Sequence, residues 1–232
     1  AVIADGDQAL AQREAESLGE QMWAIRDQLK IDVPDPAAAV RLAIESEEQP
    51  VCLLDFGDNI GGGSSGDSTF VLEELLAQEA DGWVVSIWDA ESAQACFAAG
   101  IGNQVQLQVG GKTDDMHGPT LDISGRVRTL HDGSYEEHQR RHGGGRYFNQ
   151  GPTAVVEVGA TGSRGLLLLN SVRTCPNSIH QITCAGIQPE QQRIMVAKGA
   201  VAPRAAYEPV SARLIEVASG GATAIDRSQD EY

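Results

Sequence analysis

The chain has 232 residues, 41% apolar and 22% charged, which is enough to bury one large core or two small ones and is ordinary for a globular protein. No apolar run approaches the roughly 20 residues of a membrane-spanning helix, so no membrane role is expected. The net charge of −16 lies in residues 1–100, which hold 20 acidic and 4 basic residues, whereas residues 101–232 hold 13 of each; nucleic acid is therefore not expected as a partner.

In chain order, residues 8–29 place Leu10, Leu18, Met22, Ile25 and Leu29 on one helical face. Pro34 and Pro36 break the chain, and Asp35 caps a short helix over 36–46. VCLLDF (51–56) is a short apolar run suited to a buried strand. A glycine-rich loop follows, and Asp67 or Ser68 is expected to cap the helix of TFVLEELLAQEA. GWVVSIW (82–88) is a second strand, Asp89 caps a helix that stops at Gly100, and QVQLQV (104–109) alternates as a third strand.

That order predicts an α/β fold: a mixed sheet with a β-α-β-α-β parallel core and a strand-rich second half. Strands are expected at 121–130, 153–158 and 165–170, separated by a polar segment at 131–151 that reads as a mobile loop. A short helix near 176–186 and a turn and final strand over 204–217 complete the chain. The expected divisions are a helix and linker at 1–33, an α/β domain at 34–225 and a polar tail at 226–232.

Cys52, Cys96, Cys175 and Cys184 show no CxxC or zinc-like spacing and read as reduced thiols of a cytoplasmic protein. The chain opens without a Met or a signal peptide, which reads as part of something longer.

The chemistry concentrates in DFGDNIGGGSSGD (55–67). Its Asp55-Phe56-Gly57 spells a kinase tripeptide, but no kinase catalytic loop accompanies it. The glycines fit GxGxxG at Gly61, Gly63 and Gly66 in a strand-loop-helix context, yet Asp55, Asp58 and Asp67 would repel a pyrophosphate. The loop suits a ligand with cationic or hydrogen-donating groups better. Asp58 can accept protons, Asn59 can donate to an oxyanion, and glycine N–H groups can approach a carbonyl. A plainer reading is a tight turn whose Asp58 and Asn59 satisfy local backbone. HQRRH (138–142) has the i, i+4 histidines of a zincin helix, with Glu137 as a third ligand, but Gln139 stands in place of the general-base Glu.

Several ordered stretches resemble one family. DNIGGGSSGD resembles the DNPGGGxxGD loop of the C-terminal half of the microcystinase C (MlrC-like) metallopeptidases. WDAESAQACFAAGIGNQVQLQVGGKTD, ISGRVRTLHDGSY, GPTAVVEVG and MVAKGAVAPRAAYEPVSARLIEV resemble later family segments, and residues 5–29 resemble the helix that ends the family's first half.

The resemblance implies a bacterial zinc-dependent hydrolase of small or linear peptides. The His and Asp ligands of its zinc would lie in a preceding N-terminal domain of the same polypeptide, absent here, and this chain would hold no metal and be silent alone. Carried over by position, Asp58 and Arg204 take catalytic roles. Asn59, Gly61, Gly62, Gly63, Asp67, Arg173 and Lys198 bind substrate. Ile60 replaces the family's Pro, and Ala202-Pro203-Arg204 replaces its His-Phe-Arg. The alternatives are a non-catalytic ligand-binding or interaction domain that retains the fold and, less favoured, a nucleotide-binding domain.

Overall fold

The computed structural model describes residues 1–29, 32–159 and 165–225, so the tail expected at 226–232 lies outside the described residues. Two compact units emerge, Ala1–Val33 and Pro34–Tyr232. In the first, Asp7 caps helix α1 (Gln8–Ala24) by accepting from the Leu10 amide at 2.8 Å. This helix ends before the expected residue 29 and passes into a 3-10 turn at Arg26–Gln28. None of its residues is buried within the unit, and Leu18, Met22 and Trp23 are exposed.

The second unit is an α/β domain. Its helices are α2 (Pro36–Ile44), α3 (Phe70–Ala77), α4 (Ala90–Ala99), α5 (His180–Thr183) and α6 (Arg204–Tyr207). Its strands are β1 (Val51–Asp55), β2 (Trp83–Trp88), β3 (Gln104–Val109), β4 (Leu121–His131), β5 (Ser134–Glu136), β6 (Tyr147–Asn149), β7 (Thr153–Val158), β8 (Gly165–Asn170), β9 (Ile194–Ala197) and β10 (Arg213–Val217). Eight of them form one mixed sheet in the order β10-β1-β9-β2-β8-β7-β4-β3.

The parallel part of that sheet is not built as chain order suggested. β10, β1, β9, β2 and β8 run parallel, with β9 inserted between β1 and β2. β3 stands at the far edge, paired antiparallel with β4. Its alternation, with Gln104, Gln106 and Gln108 exposed, is that of a strand with one wet face. β1, by contrast, is buried at every position.

The two faces of the sheet separate by side-chain parity. Val51 and Leu53 of β1 join Val85, Ile87, Leu167 and Leu169 beneath α2, α3 and α4. Cys52 and Leu54 join Val84, Leu166, Leu168 and Met195 against α5 and α6. A layer of helix on each face is what a parallel sheet requires.

Asp35 and Asp89 cap α2 and α4 as expected, accepting from Ala38 and Ser92. The segment 131–151, read as a loop, carries a two-stranded β5–β6 hairpin in which Tyr135 stacks on Phe148 at 5.3 Å. Residues 138–142 lie outside any helix, so the two histidines are not held on one helical face.

Candidate functional site

The carboxyl ends of β1 and β9, with the segment after β10, converge on the glycine-rich loop, the position where ligands bind in open α/β sheets. β1 ends in Asp55 and β9 is followed by Lys198, and both are buried. The Lys198 ammonium lies 2.9 Å from Asp55 Oδ2 and 3.2 Å from Asp58 Oδ2, and donates to the Ser68 carbonyl at 2.6 Å. Burial pulls the Lys198 pKa down, but Asp55 and Asp58 outweigh it and hold the group above its ordinary value.

Asp58 is fully buried and both its oxygens are occupied. Oδ1 accepts from the Ser64 hydroxyl at 2.9 Å and the Gly66 amide at 2.7 Å. Oδ2 accepts from the Ser68 amide at 2.9 Å. The carboxylate thus closes the loop upon itself, as backbone N–H groups and a buried anion favour.

A second network crosses it. Ser64 Oγ lies 2.7 Å from His117 Nε2, and His117 Nδ1 lies 2.7 Å from Asp114 Oδ1. The Ala222 amide donates to Nε2 at 3.2 Å, which makes that nitrogen the acceptor and leaves the proton on Nδ1, facing Asp114. Beyond β10, Ser219 bonds Asp55 and the Gly57 amide, while Thr223 Oγ1 accepts from the Asn59 amide and donates to Phe56 O. A Cβ on Gly57 would collide with the Ser219 and Gly220 carbonyls, so glycine there permits the close approach of the two segments.

Asp67 does not cap α3. Thr69 takes the N-cap position without a side-chain cap bond. Asp67 Oδ2 instead accepts from the Lys112 and Thr113 amides and the Thr113 hydroxyl, at 2.9 to 3.0 Å. Burial pushes this carboxyl up, but the Ser65 hydroxyl beside it and those hydrogen bonds prevail and hold it below the ordinary aspartate range. Its part is to tie the segment bearing Asp114 and His117 to the loop.

The exposed side of the loop is made of backbone. Gly61, Gly62 and Gly63 stand in solvent, with Gly63 at φ 104°, a left-handed conformation. Asn59 is half-buried beside Gly61 and Gly62. Arg173 is exposed, and its Nη1 donates to the Ser64 carbonyl at 3.3 Å.

Arg204 bonds Glu216 of β10, the edge strand of the sheet. Its side chain is 35% exposed. The structure therefore joins Asp58, Asn59, Lys198 and Arg173 around one loop, sends Asp67 to the neighbouring segment and directs Arg204 to the sheet edge.

Sequence reasoning missed Ser64, Asp114, His117 and Ser219; His117 reaches Ser64 and Ala222, and Ser219 reaches Asp55, from distant chain segments. The short DDMH stretch at 114–117 was the one available signal, since it puts a carboxylate three residues from a histidine. Among the described residues, no group of three or more His, Cys, Asp or Glu could hold a metal ion. Nor is any described helix long and apolar enough to cross a membrane.

The family model described as MlrC C-terminus matches residues 53–232. Microcystinase C from Sphingomonas sp is 26% identical over 228 residues, covering 97% of this chain and 43% of that protein. A crystal structure of a "putative metallopeptidase" from Mesorhizobium sp. BNC1 superposes with a TM-score of 0.81 at 21% identity, over 93% of this chain and 42% of that one; at that identity it speaks for the fold alone. The chain thus spans less than half the length of these relatives. It belongs to the MlrC C-terminus family.

Proposed function

We propose that this chain is the C-terminal part of a longer zinc-dependent peptidase and forms the substrate-facing wall of its cleft. The family match over residues 53–232 carries this reading, because the matched region includes the glycine-rich loop at the carboxyl ends of the parallel strands. The described residues do not fit a metal, so the zinc and its ligands would belong to a preceding domain of the polypeptide. Four free cysteines suit a cytoplasmic protein.

In this reading the exposed Gly61–Gly63 backbone faces a small or linear peptide; the Gly62 and Gly63 amides close the turn onto the Asn59 and Ile60 carbonyls, so the donors toward a substrate carbonyl are the Gly61 amide and the Asn59 carboxamide. Arg173 reaches a substrate carboxylate from the loop's edge. Asp58 and Lys198 act as positioning residues: their polar atoms are engaged within the fold, so they hold the loop in shape rather than move protons. Arg204 can exchange Glu216 for a substrate carboxylate, since a partly exposed ion pair contributes little and opens readily.

The test uses the full-length parent and this chain side by side, with metal content by elemental analysis and turnover of a panel of linear peptides. The expected result is metal and turnover in the parent only. The rival reading, a non-catalytic ligand-binding domain, draws support from the same saturation of Asp58 and Lys198. A parent that binds stoichiometric metal, binds peptides and cleaves none would establish that rival and overturn the peptidase.

A further inference from the structure

Residues 219–223 lie across the base of the glycine loop. A Cβ on Gly221 would meet the Gly57 carbonyl at 2.3 Å and His117 Cδ2 at 3.0 Å, so this segment, the loop and the imidazole are in close contact. Thr223 accepts from the Asn59 amide and gives its hydroxyl to the Phe56 carbonyl, which ties the segment to the residues that carry the exposed tip. The Ala222 amide joins it to the ring by donating to Nε2 of His117 at 3.2 Å.

Nε2 can accept that bond only while it carries no proton. The Ser64 hydroxyl stands on the same nitrogen at 2.7 Å, and Ser64 Oγ has acceptors of its own, Asp58 Oδ1 at 2.9 Å and the Gly57 carbonyl at 3.2 Å. A proton on Nε2 therefore finds a relay already in place: Nε2 donates to Ser64 Oγ, and Ser64 turns its hydrogen to Asp58 or Gly57. No heavy atom of that relay has to move. The Ala222 amide is left pointing at another N–H, and it has to withdraw.

The added charge is met within the fold. Asp114 Oδ1 lies 2.7 Å from Nδ1, and Asp58 Oδ1 lies 3.9 Å from Nε2. The opposing cation is Lys198, on the far side of Asp58 at 3.2 Å from Oδ2 and shared with Asp55. Among the described residues, the other segments packed on His117 bring neutral groups, the Thr69 amide on its carbonyl and Gly221 and Ala222 on its ring. Two carboxylates face the ring, so charging it rearranges the contact rather than unfolding the domain. Histidine is the side chain that ordinarily changes charge between about pH 5 and 8.

We propose that His117 is a pH-sensitive latch on the glycine loop. With Nε2 unprotonated it holds residues 219–223 through the Ala222 amide. With both nitrogens protonated it bonds Ser64 instead and releases that segment, so Thr223 no longer steadies Asn59 and the tip. The tip is fixed at neutral pH and loosened in mild acid. The latch is a property of this chain and stands apart from the peptidase reading.

The test follows the isotope-labelled chain by NMR from about pH 8 to about pH 5, reading the ring nitrogens of His117 and the amides of Asn59, Ala222 and Thr223. Charging of the ring and displacement of the Ala222 amide should share one midpoint. Across it, hydrogen exchange at Asn59 and Thr223, corrected for its intrinsic pH dependence, should accelerate about tenfold or more. His117→Gln keeps an acceptor for Ala222 and does not titrate, so its folded chain should show no such step. The coincidence of the two changes in the wild-type chain is decisive even if that variant fails to fold. A ring still neutral at about pH 5, a ring that charges while the Ala222 amide stays in place, or the same step in folded His117→Gln would overturn the latch.

Discussion

Within one glycine-rich loop, Asp58, Ser64 and Ser68 are withdrawn from solvent while Gly61, Gly62 and Gly63 stand in it. The buried base is crowded with charge: two carboxylates, one ammonium and a histidine share a few ångströms, each with a partner from another segment. The exposed tip has almost no side chain, and Arg173 reaches the loop through the Ser64 carbonyl that follows it. The difference separates two tasks. The base determines the shape of the loop, and the tip is left free to meet something outside the chain.

Substitutions at the base should therefore act on stability, and substitutions at the tip on binding. The largest effect is expected for Lys198→Met, which leaves Asp55 and Asp58 buried without their cation. A loss of about 3 to 5 kcal/mol should appear in denaturant unfolding. If Lys198→Met were no more destabilising than a change at the tip, the division between the two parts would collapse.

His117→Phe should come next, at about 1 to 3 kcal/mol, because it removes the acceptor of the Ala222 amide and the partners of Ser64 Oγ and Asp114 while keeping a ring in the space. Unfolding at neutral pH measures it, and the same variant should loosen residues 219–223 in hydrogen exchange.

The pH dependence has a sign at each end. Asp67 and Glu137 are held below their ordinary values, Glu137 against its burial by the Ser178 hydroxyl, the Gln139 amide and nearby Arg141 and His180. Their contributions are present above about pH 4 and are lost as pH falls through their lowered folded values. Lys198 is held high, so its contribution is present below about pH 10.4 and is lost as pH rises through its folded value. Thermal unfolding across pH should show stability falling at both ends, and Asp67→Asn should flatten the acid limb.

The smallest stability effect belongs to the tip. Arg173→Ala should change unfolding by no more than about 0.5 kcal/mol. In the full-length parent it should raise KM for peptides with a free carboxyl terminus more than it lowers kcat. An Arg173→Ala parent with unaltered KM for such peptides would remove Arg173 from the substrate wall.

Two histidine-bearing segments show what a linear reading can and cannot find. HQRRH at 138–142 has the spacing of a metal helix, but glycines at 143–145 follow it and no helix forms; His138 is exposed beside Glu136 and His180. His117 carries no recognisable motif, yet it is 1% exposed and joins three segments of the chain. Spacing on one helix is a local property, whereas His117 acquires its partners from Ser64 and Ala222, 53 and 105 residues away.

By itself the sequence determined what rests on short-range chemistry. Caps at Asp35 and Asp89, the buried run of β1, the alternation of β3 and the glycine-rich turn all follow from neighbours within a few residues. The ordered motifs that mark the family were legible for the same reason. Only the tertiary structure decided that β9 enters between β1 and β2, because strand order depends on which crossovers bury the most apolar surface. It alone brought Lys198 to Asp55 across 143 residues and turned Asp67 from an expected helix cap into a clasp for the 112–113 backbone. A buried carboxylate takes the donors that folding delivers to it, and those are set by where distant segments come to rest.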